Sequence, residues 1–590
     1  LARLDTAILP QDDEPTAKGA SPHSTPTTLS FPILDEGNPL DPGGTEMYAT
    51  ANLLADQPAA SPQPVSGLGR SILRNFSVVM IAFVLSRVLG LLRDVVIAAR
   101  FDQTERDAYY AAFRIPDTIF LLVVGGAVSS AFIPVFSAQR AQGKDAAAWR
   151  LASTLINLSI ILVSLFGIVA ALLAPQIIGG LIAPGYTGEK LQLTINLTIV
   201  LMLSPLFMGL GAWAQGILNA EHRFVLSAFA PIFYNLGIIV GALFFAPYIG
   251  PVGLAWGVVL GAILHIATQV PGLLRLGMKY QLRLNLRDAG TGEVLRLIGP
   301  RVVGQIAFQA NFIIITSFAS SNSGWVNAVN YAFTLMMLPF GVFALSLSTV
   351  VFPTLAEQFG RREVAQMRVT VWGGVRLLVF LSAVSSVFLL VMREPIVRLL
   401  YQRNKFTASD TAQVADALLY FSLGLISYAV VEVLTRSFYA MHDTRTPVVI
   451  ALITVAVNFL CCLLFVGPLG QGGLALALVL STTAELLILL LTIRRRFSRL
   501  DPQNAAVQQD ERRAISGALK SIGAAAVVGL LLQGYLSFLA PIFPAGLFGQ
   551  LLSMSGAGLL AVVAYLALSL LLGNAEARQL SALITRRLRR

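Results

Sequence analysis

The sequence predicts an all-α polytopic membrane protein of about fourteen transmembrane helices, and three observations carry that expectation. The first is composition: 56% of the 590 residues are hydrophobic and only 12% are charged, against about 25% charged in soluble domains. The second is length: apolar runs longer than about 18 residues recur from position 76 onward, enough to cross a bilayer as a helix. The third is alternation, since Lys and Arg crowd into every second loop. Helices are required because a spanning segment must satisfy its own backbone hydrogen bonds. A β-barrel would show alternating segments of about ten residues, and none is present.

Residues 1–70 stand apart. They are rich in Pro, Ser, Thr, Asp and Gly, as in Ala20-Ser21-Pro22-His23-Ser24-Thr25-Pro26, and show no apolar period. Such a segment cannot bury a core and is expected to be a disordered cytoplasmic tail. It lacks an apolar signal core, so the first span is expected to serve as the insertion signal. Spans are predicted at 76–99, 107–138, 150–175, 191–219, 226–247, 252–275, 293–320, 326–357, 367–392, 411–441, 447–468, 471–496, 514–540 and 549–573. The second is interrupted by Pro116, Gly125 and Pro134, which are tolerated where a broken helix lines a cavity.

The loop charges orient the chain. Arg70 and Arg74 precede the first span; Arg140, Lys144 and Arg150 follow the second. Arg275, Lys279, Arg283 and Arg287 follow the sixth, Arg361, Arg362 and Arg368 the eighth, and Arg494, Arg495, Arg496 and Arg499 the twelfth. The chain ends on Arg586, Arg587, Arg589 and Arg590, whereas the loops near 248–251, 320–325, 467–471 and 541–548 carry no Lys or Arg. Both termini are therefore expected in the cytoplasm, and the formal charge of +11 is assigned to these loops rather than to nucleic acid. Two loops break the pattern: the first external one holds Arg100 and Arg106, and 393–410 holds Arg393, Arg398, Arg403 and Lys405.

An internal repeat with an offset near 220 residues pairs His222 with His442, Gly253-Leu254-Ala255 with Gly473-Leu474-Ala475, and Phe132-Ile133-Pro134 with Val351-Phe352-Pro353. Repeats of even span number give two halves of like orientation around a central cavity. The expected organisation is a tail (1–70), an N-lobe of spans one to six (71–290), and a C-lobe of spans seven to twelve (291–500). Two further spans and a basic cytoplasmic end follow (501–590).

Charges inside spans cost about 2.5–3.5 kcal/mol each on insertion scales, which makes them candidates for function. They concentrate in the first two spans. Arg87 and Asp94 lie seven residues apart on one helix face, with Arg93 one position off it, and Asp107, Arg114 and Asp117 follow. Guanidinium groups in a low-dielectric cavity suit phosphate oxygens, which they grip two at a time. The plainer alternative is that Arg87 pairs with Asp94, or Arg93 with Asp107, and nothing more. In the second half Arg301, Gln305 and Gln309 form a polar stripe and Glu432 and Arg436 are spaced to pair; Asn235 in the first half and Asn458 and Glu485 in the second are isolated, their plainest reading being helix–helix hydrogen bonds. Cys461 and Cys462 are adjacent and cannot form a normal disulfide, and four scattered His point to no metal site. There is no nucleotide-binding G-x-x-x-x-G-K-[ST] loop and no catalytic constellation, so the protein is not expected to be an enzyme and no cofactor is implied.

The run Ser86-Arg87-Val88-Leu89-Gly90-Leu91-Leu92-Arg93-Asp94 resembles the MurJ/MviN lipid II flippase family of the MOP exporter superfamily. Asp107-Ala108-Tyr109-Tyr110-Ala111-Ala112-Phe113-Arg114-Ile115-Pro116 and Ala131-Phe132-Ile133-Pro134 carry the same likeness, as do Ala228–Pro231, Leu338–Val342, Phe352–Leu355 and Gly424–Ile426. The resemblance covers about residues 70 to 575. It implies two lobes, a cationic central cavity, and alternating-access transport of an undecaprenyl-pyrophosphate-linked peptidoglycan precursor across the bacterial inner membrane. It places Arg87, Arg93, Asp94 and Asp107 among the cavity positions. Where many members carry arginine this chain has Phe120 and Thr334, and where many carry an acidic residue it has Gly125. Arg114 and Arg301 are the cations expected to stand in. The departures keep open a second substrate, another lipid-linked oligosaccharide. A cation-coupled exporter of small molecules is the further alternative, which would predict an acidic cavity. A monomer embedded in membrane lipids is expected, with no nucleic-acid partner; the coupling ion is left open.

Overall fold

The computed structural model describes residues 68–125, 131–500, 506–544 and 546–588, with the side chains of 68–79, 289, 297, 299–301, 506–508 and 583–588 outside that description. The tail expected over 1–70 thus falls, through residue 67, outside the described residues. No strand occurs among the described residues. The first half comprises α1 (Leu68–Arg100), α2 (Gln103–Ala112), α3 (Arg114–Phe120), α4 (Ile133–Ala141), α5 (Asp145–Leu172), α6 (Gly188–Leu201), α7 (Ser204–Ala220), α8 (Phe224–Val240) and α9 (Val252–Ala267). The second half comprises α10 (Ala289–Ala319), α11 (Trp325–Phe340), α12 (Ser346–Gly360), α13 (Val364–Tyr401), α14 (Ala408–Ala440) and α15 (Arg445–Leu500). After it come α16 (Ala506–Gly534), α17 (Leu547–Leu571) and α18 (Ala575–Leu588).

Twelve helical stretches are long and apolar enough to cross a membrane. The 33-residue α1 adds one, and the 56-residue α15 counts as two arms, because it kinks at Gly470, whose φ of 57° with ψ of −135° only glycine adopts freely. The count agrees with about fourteen spans. The predicted second span is in fact α2, α3, a π turn at Leu121–Gly125 and α4. Pro116 and Pro134 sit in the first turn of their helices, where a missing N–H costs nothing.

Caps fix the ends that matter. Asp102 caps α2 by accepting from the Glu105 N–H at 2.9 Å, while the Glu105 carboxylate accepts from the Asp102 N–H at 2.7 Å. Thr407 and Asp410 do the same for α14.

The 220-residue repeat is written into the backbone. His222 and His442 both take left-handed φ, 55° and 58°. Arg223 N–H donates to the Leu218 carbonyl at 2.7 Å, and Asp443 N–H to the Phe438 carbonyl at 2.9 Å, each partner displaced by the same offset. Gly250 and Gly470 are likewise both left-handed, and Gly253 and Gly473 abut the backbone of Phe245 and Phe465. Helices of the first half pack chiefly on one another, as do α10 to α15, while α16 and α17 lean on α13.

Candidate functional site

A cavity of about 720 Å³ lies between the halves, walled by α1, α7 and α8 on one side and α11 on the other. Arg87, Arg93 and Asp94 of α1 line it together with Asn219, Asn235 and Thr334. Three of the six residues singled out in the sequence therefore meet at one site.

Their states differ. Asp94 is 3% exposed and is held by Arg93, whose Nε and Nη2 approach Oδ1 at 2.9 and 2.8 Å. Arg93 Nη1 also donates to Asn235 Oδ1 at 3.2 Å, and Asn235 Nδ2 returns to the Pro231 carbonyl at 3.0 Å. Asn235, expected to be a helix–helix hydrogen bonder, is the residue that anchors Arg93 to α8. Arg87 is exposed and pairs with no carboxylate among the described residues; its guanidinium lies 5.1 Å over the Phe83 ring. It also approaches the backbone of Gly341, the first residue of a π turn that follows α11: a methyl there would lie 3.6 Å from Arg87 Nη2. Arg93 and Asp94 cancel, so Arg87 leaves this cavity one net positive charge among its lining residues. Thr334 stands in the wall, where many members of the resembled family carry arginine.

Asp107 and Arg114 are placed elsewhere. Asp107 is fully buried at the N-terminus of α11, accepting from the N–H groups of Gly324 (2.7 Å) and Asn327 (2.9 Å), from Asn327 Nδ2 (2.9 Å) and from Lys190 Nζ (2.8 Å). A carboxylate is favoured at a helix N-terminus. Arg114 crosses between halves to donate to Thr316 Oγ1 and Asn330 Oδ1, both at 2.8 Å, over the Phe312 ring at 5.1 Å. Both residues bind one half to the other and do not line the cavity. The side chain of Arg301 lies outside the described residues; Gln309 of the same stripe is buried.

Around Asp107 a clasp closes one end of the molecule. Arg106 is fully buried; its Nη2 meets Asp410 Oδ1 at 2.5 Å and its Nη1 donates to the carbonyls of Ala98 and Phe101. Gln103 Nε2 donates to Gln413 Oε1 at 3.0 Å, and Lys405 Nζ lies 3.5 Å from Glu105. Arg106 and Lys405 are among the cations that broke the loop-charge pattern; they are consumed in pairs across the halves. Asp410 and Lys190 were not anticipated. The Thr407-x-x-Asp410 spacing is a signal that could have flagged Asp410 as part of a helix start, but nothing local marks its partner some 300 residues away.

Two helical halves that enclose a polar, net cationic cavity and are latched at one end define a polytopic membrane transporter. Comparison with known proteins sharpens the class. The profile of the family described as lipid II flippase MurJ matches residues 97–553. The lipid II flippase MurJ of Burkholderia cenocepacia is 32% identical over 424 residues, 70% of this chain and 82% of that protein. The probable lipid II flippase MurJ of Vibrio cholerae is 28% identical over 86% of this chain and 97% of its own length. A solved lipid II flippase MurJ in an inward closed conformation superposes with a TM-score of 0.69 at 25% identity, covering 87% of this chain and 99% of that one. An inward-facing multidrug-resistance MATE transporter of the MOP superfamily shares the fold, with a TM-score of 0.59 at 16% identity. The chain belongs to the MurJ lipid II flippase family.

Proposed function

We propose that this protein moves lipid II, an undecaprenyl-pyrophosphate-linked peptidoglycan precursor, across the bacterial inner membrane by alternating access. Family membership supports the substrate, and the unpaired Arg87 in a cavity between the halves supports the means. Arg87 offers a free planar donor fork to the pyrophosphate. Arg93, pre-positioned by Asp94 and Asn235, presents its remaining edge. Asp107, Arg106 and Arg114 hold the halves together at the far end, and their release is the step that opens the cavity outward. The Lys/Arg-rich turns and both termini face the cytoplasm on this reading. The cavity is lined by Asn219 and Phe224, which flank the 221–223 turn at that same end, so the described state faces inward. The two lobes are 71–290 and 291–500.

The test is complementation of a flippase-depleted bacterium. The wild-type chain restores growth; Arg87→Ala at equal membrane abundance does not. Rescue by Arg87→Ala would remove the anionic-headgroup mechanism. Thr334 in the cavity wall and Phe120 favour a second reading, a flippase for another lipid-linked oligosaccharide. Failure of the wild-type chain to rescue would support it.

A further inference from the structure

A second pocket, of about 470 Å³, lies away from the cavity, where α13, the start of α16 and the turn joining α17 to α18 meet. It shares no lining residue with the cavity. Its lining carries four cations, Arg376, Arg512, Arg513 and Lys520, and a single carboxylate, Glu576. Glu576 is engaged by Arg376, Nε to Oε1 at 2.9 Å. The two carboxylates that precede Arg512 in sequence are turned elsewhere: Asp510 meets Arg368 at 3.2 Å and Glu511 meets Arg494 at 3.0 Å. Arg512, Arg513 and Lys520 are left with no carboxylate partner among the described residues. Arg512, Ser516 and Lys520 recur every fourth residue and so share one face of α16.

The pocket is built rather than incidental. Gly573 turns left-handed (φ 67°) at the end of α17. The buried Asn574 then donates to Ser521 Oγ at 2.9 Å and accepts from the Glu576 N–H at 3.0 Å, pinning the turn to α16. The Arg376 stem packs on α16 at Gly517, where a methyl would sit 3.5 Å from Arg376 Cδ, an ordinary contact distance. Beside the pocket Ile515 and Leu519 of α16 and Leu571 and Leu572 at the end of α17 are exposed, an apolar rim suited to contact with acyl chains. Cations above a lipid-facing apolar rim mark the level of the phosphates, and basic pockets between helices at that level take anionic headgroups.

We propose that this pocket binds the phosphate-bearing headgroup of an anionic membrane phospholipid, in the leaflet that the proposed topology makes cytoplasmic. The lipid phosphate bridges Arg512, Arg513 and Lys520, its acyl chains run along Ile515 and Leu571, and the bound lipid ties α16 and α17 to α13. The site is distinct from the transported substrate's.

The test is native mass spectrometry of the full chain in detergent, titrated with phosphatidylglycerol and with phosphatidylcholine. Each cation near an anionic headgroup is worth about fivefold in affinity. The R512Q/R513Q/K520Q variant is expected to lose at least about tenfold in phosphatidylglycerol affinity and to keep phosphatidylcholine binding. R223Q/R361Q/R362Q, which removes the same charge from exposed turns, is expected to behave as wild type. S516F, which fills the pocket without changing charge, is expected to lose phosphatidylglycerol too, and decides the matter if the triple variant fails to fold. Phosphatidylglycerol retention by both pocket variants, or an equal loss in the exposed-turn control, overturns the proposal. So does displacement of the lipid by an equal concentration of inorganic phosphate, which would make the pocket a site for the soluble anion.

Discussion

Arg87 and Arg93 lie on one helix but do different chemistry, and substitution separates them. Arg87 has no carboxylate partner to abandon among the described residues, so Arg87→Ala is expected to abolish transport at normal abundance. Arg93 neutralises a buried carboxylate, so Arg93→Ala strands Asp94. The stranded group costs about 1–3 kcal/mol, at the lower end because Arg93 is 27% exposed and water reaches the pair. Abundance should therefore fall as well as transport. Arg93→Ala combined with Asp94→Ala should recover abundance in a membrane immunoblot without recovering growth; recovery of both would make the pair purely structural. The sequence showed Arg87 and Asp94 on one face, and the seven-residue spacing holds. It placed Arg93 off that face, yet Arg93 still lines the cavity, because a long guanidinium side chain reaches round its helix to the neighbouring residue. That choice is set by Asn235, 142 residues away, and no local pattern carries it.

At the scale of elements the clasp is the informative unit. Three short segments, the start of α2, the start of α11 and the start of α14, are joined by Asp107 at one helix N-terminus and by Arg106 at the capping box of another. Breaking a buried ion pair from one side costs about 3–5 kcal/mol, whereas replacing both partners by apolar groups can be neutral. Arg106→Met should therefore weaken closure, and Arg106→Met with Asp410→Met should restore much of it. Cysteines at Gln103 and Gln413, whose amides touch at 3.0 Å, report the state. In a background lacking Cys461 and Cys462, a short reducible thiol-bridging reagent should join them in high yield, arrest transport, and release it on reduction. The yield should drop with Arg106→Met. A bridge that leaves transport running would show that this end does not open. Breaks were legible here: Pro116 interrupts the second predicted span, and Gly470 falls in the 467–471 gap between the eleventh and twelfth, whereas the Thr407–Asp410 box, as local a signal, formed no part of that reading. The pairing of Arg106 with Asp410 was not legible, since it exists only once two halves meet.

At the scale of the whole molecule, charge and repeat both favour the proposed orientation. Insertion reads Lys and Arg near span ends, and this chain masses them at the ends of its second, sixth, eighth and twelfth spans. All but one of the exceptions at the opposite end have described contacts. Arg106 pairs with Asp410, Lys405 with Glu105, and Arg398 with Glu394 at 2.5 Å. Arg393 and Arg403 donate to the carbonyls of Leu390 and Leu399. Only Arg100 of that group remains exposed without a described partner. Cations engaged in native contacts leave the loop count compatible with the proposed topology. The matched turns at His222 and His442 then require the two halves to run in the same sense, because six spans separate them. The proposed sidedness is measurable. In a chain without its native cysteines, Asn322→Cys, in the exposed turn before α11, should react with a membrane-impermeant maleimide on intact cells. Arg283→Cys, in the turn before α10, should react only after permeabilisation. Efficient labelling of Arg283→Cys from outside would invert the topology. The inward-facing assignment of the cavity would fall with it, because the 221–223 turn that the cavity reaches would then lie on the outer surface.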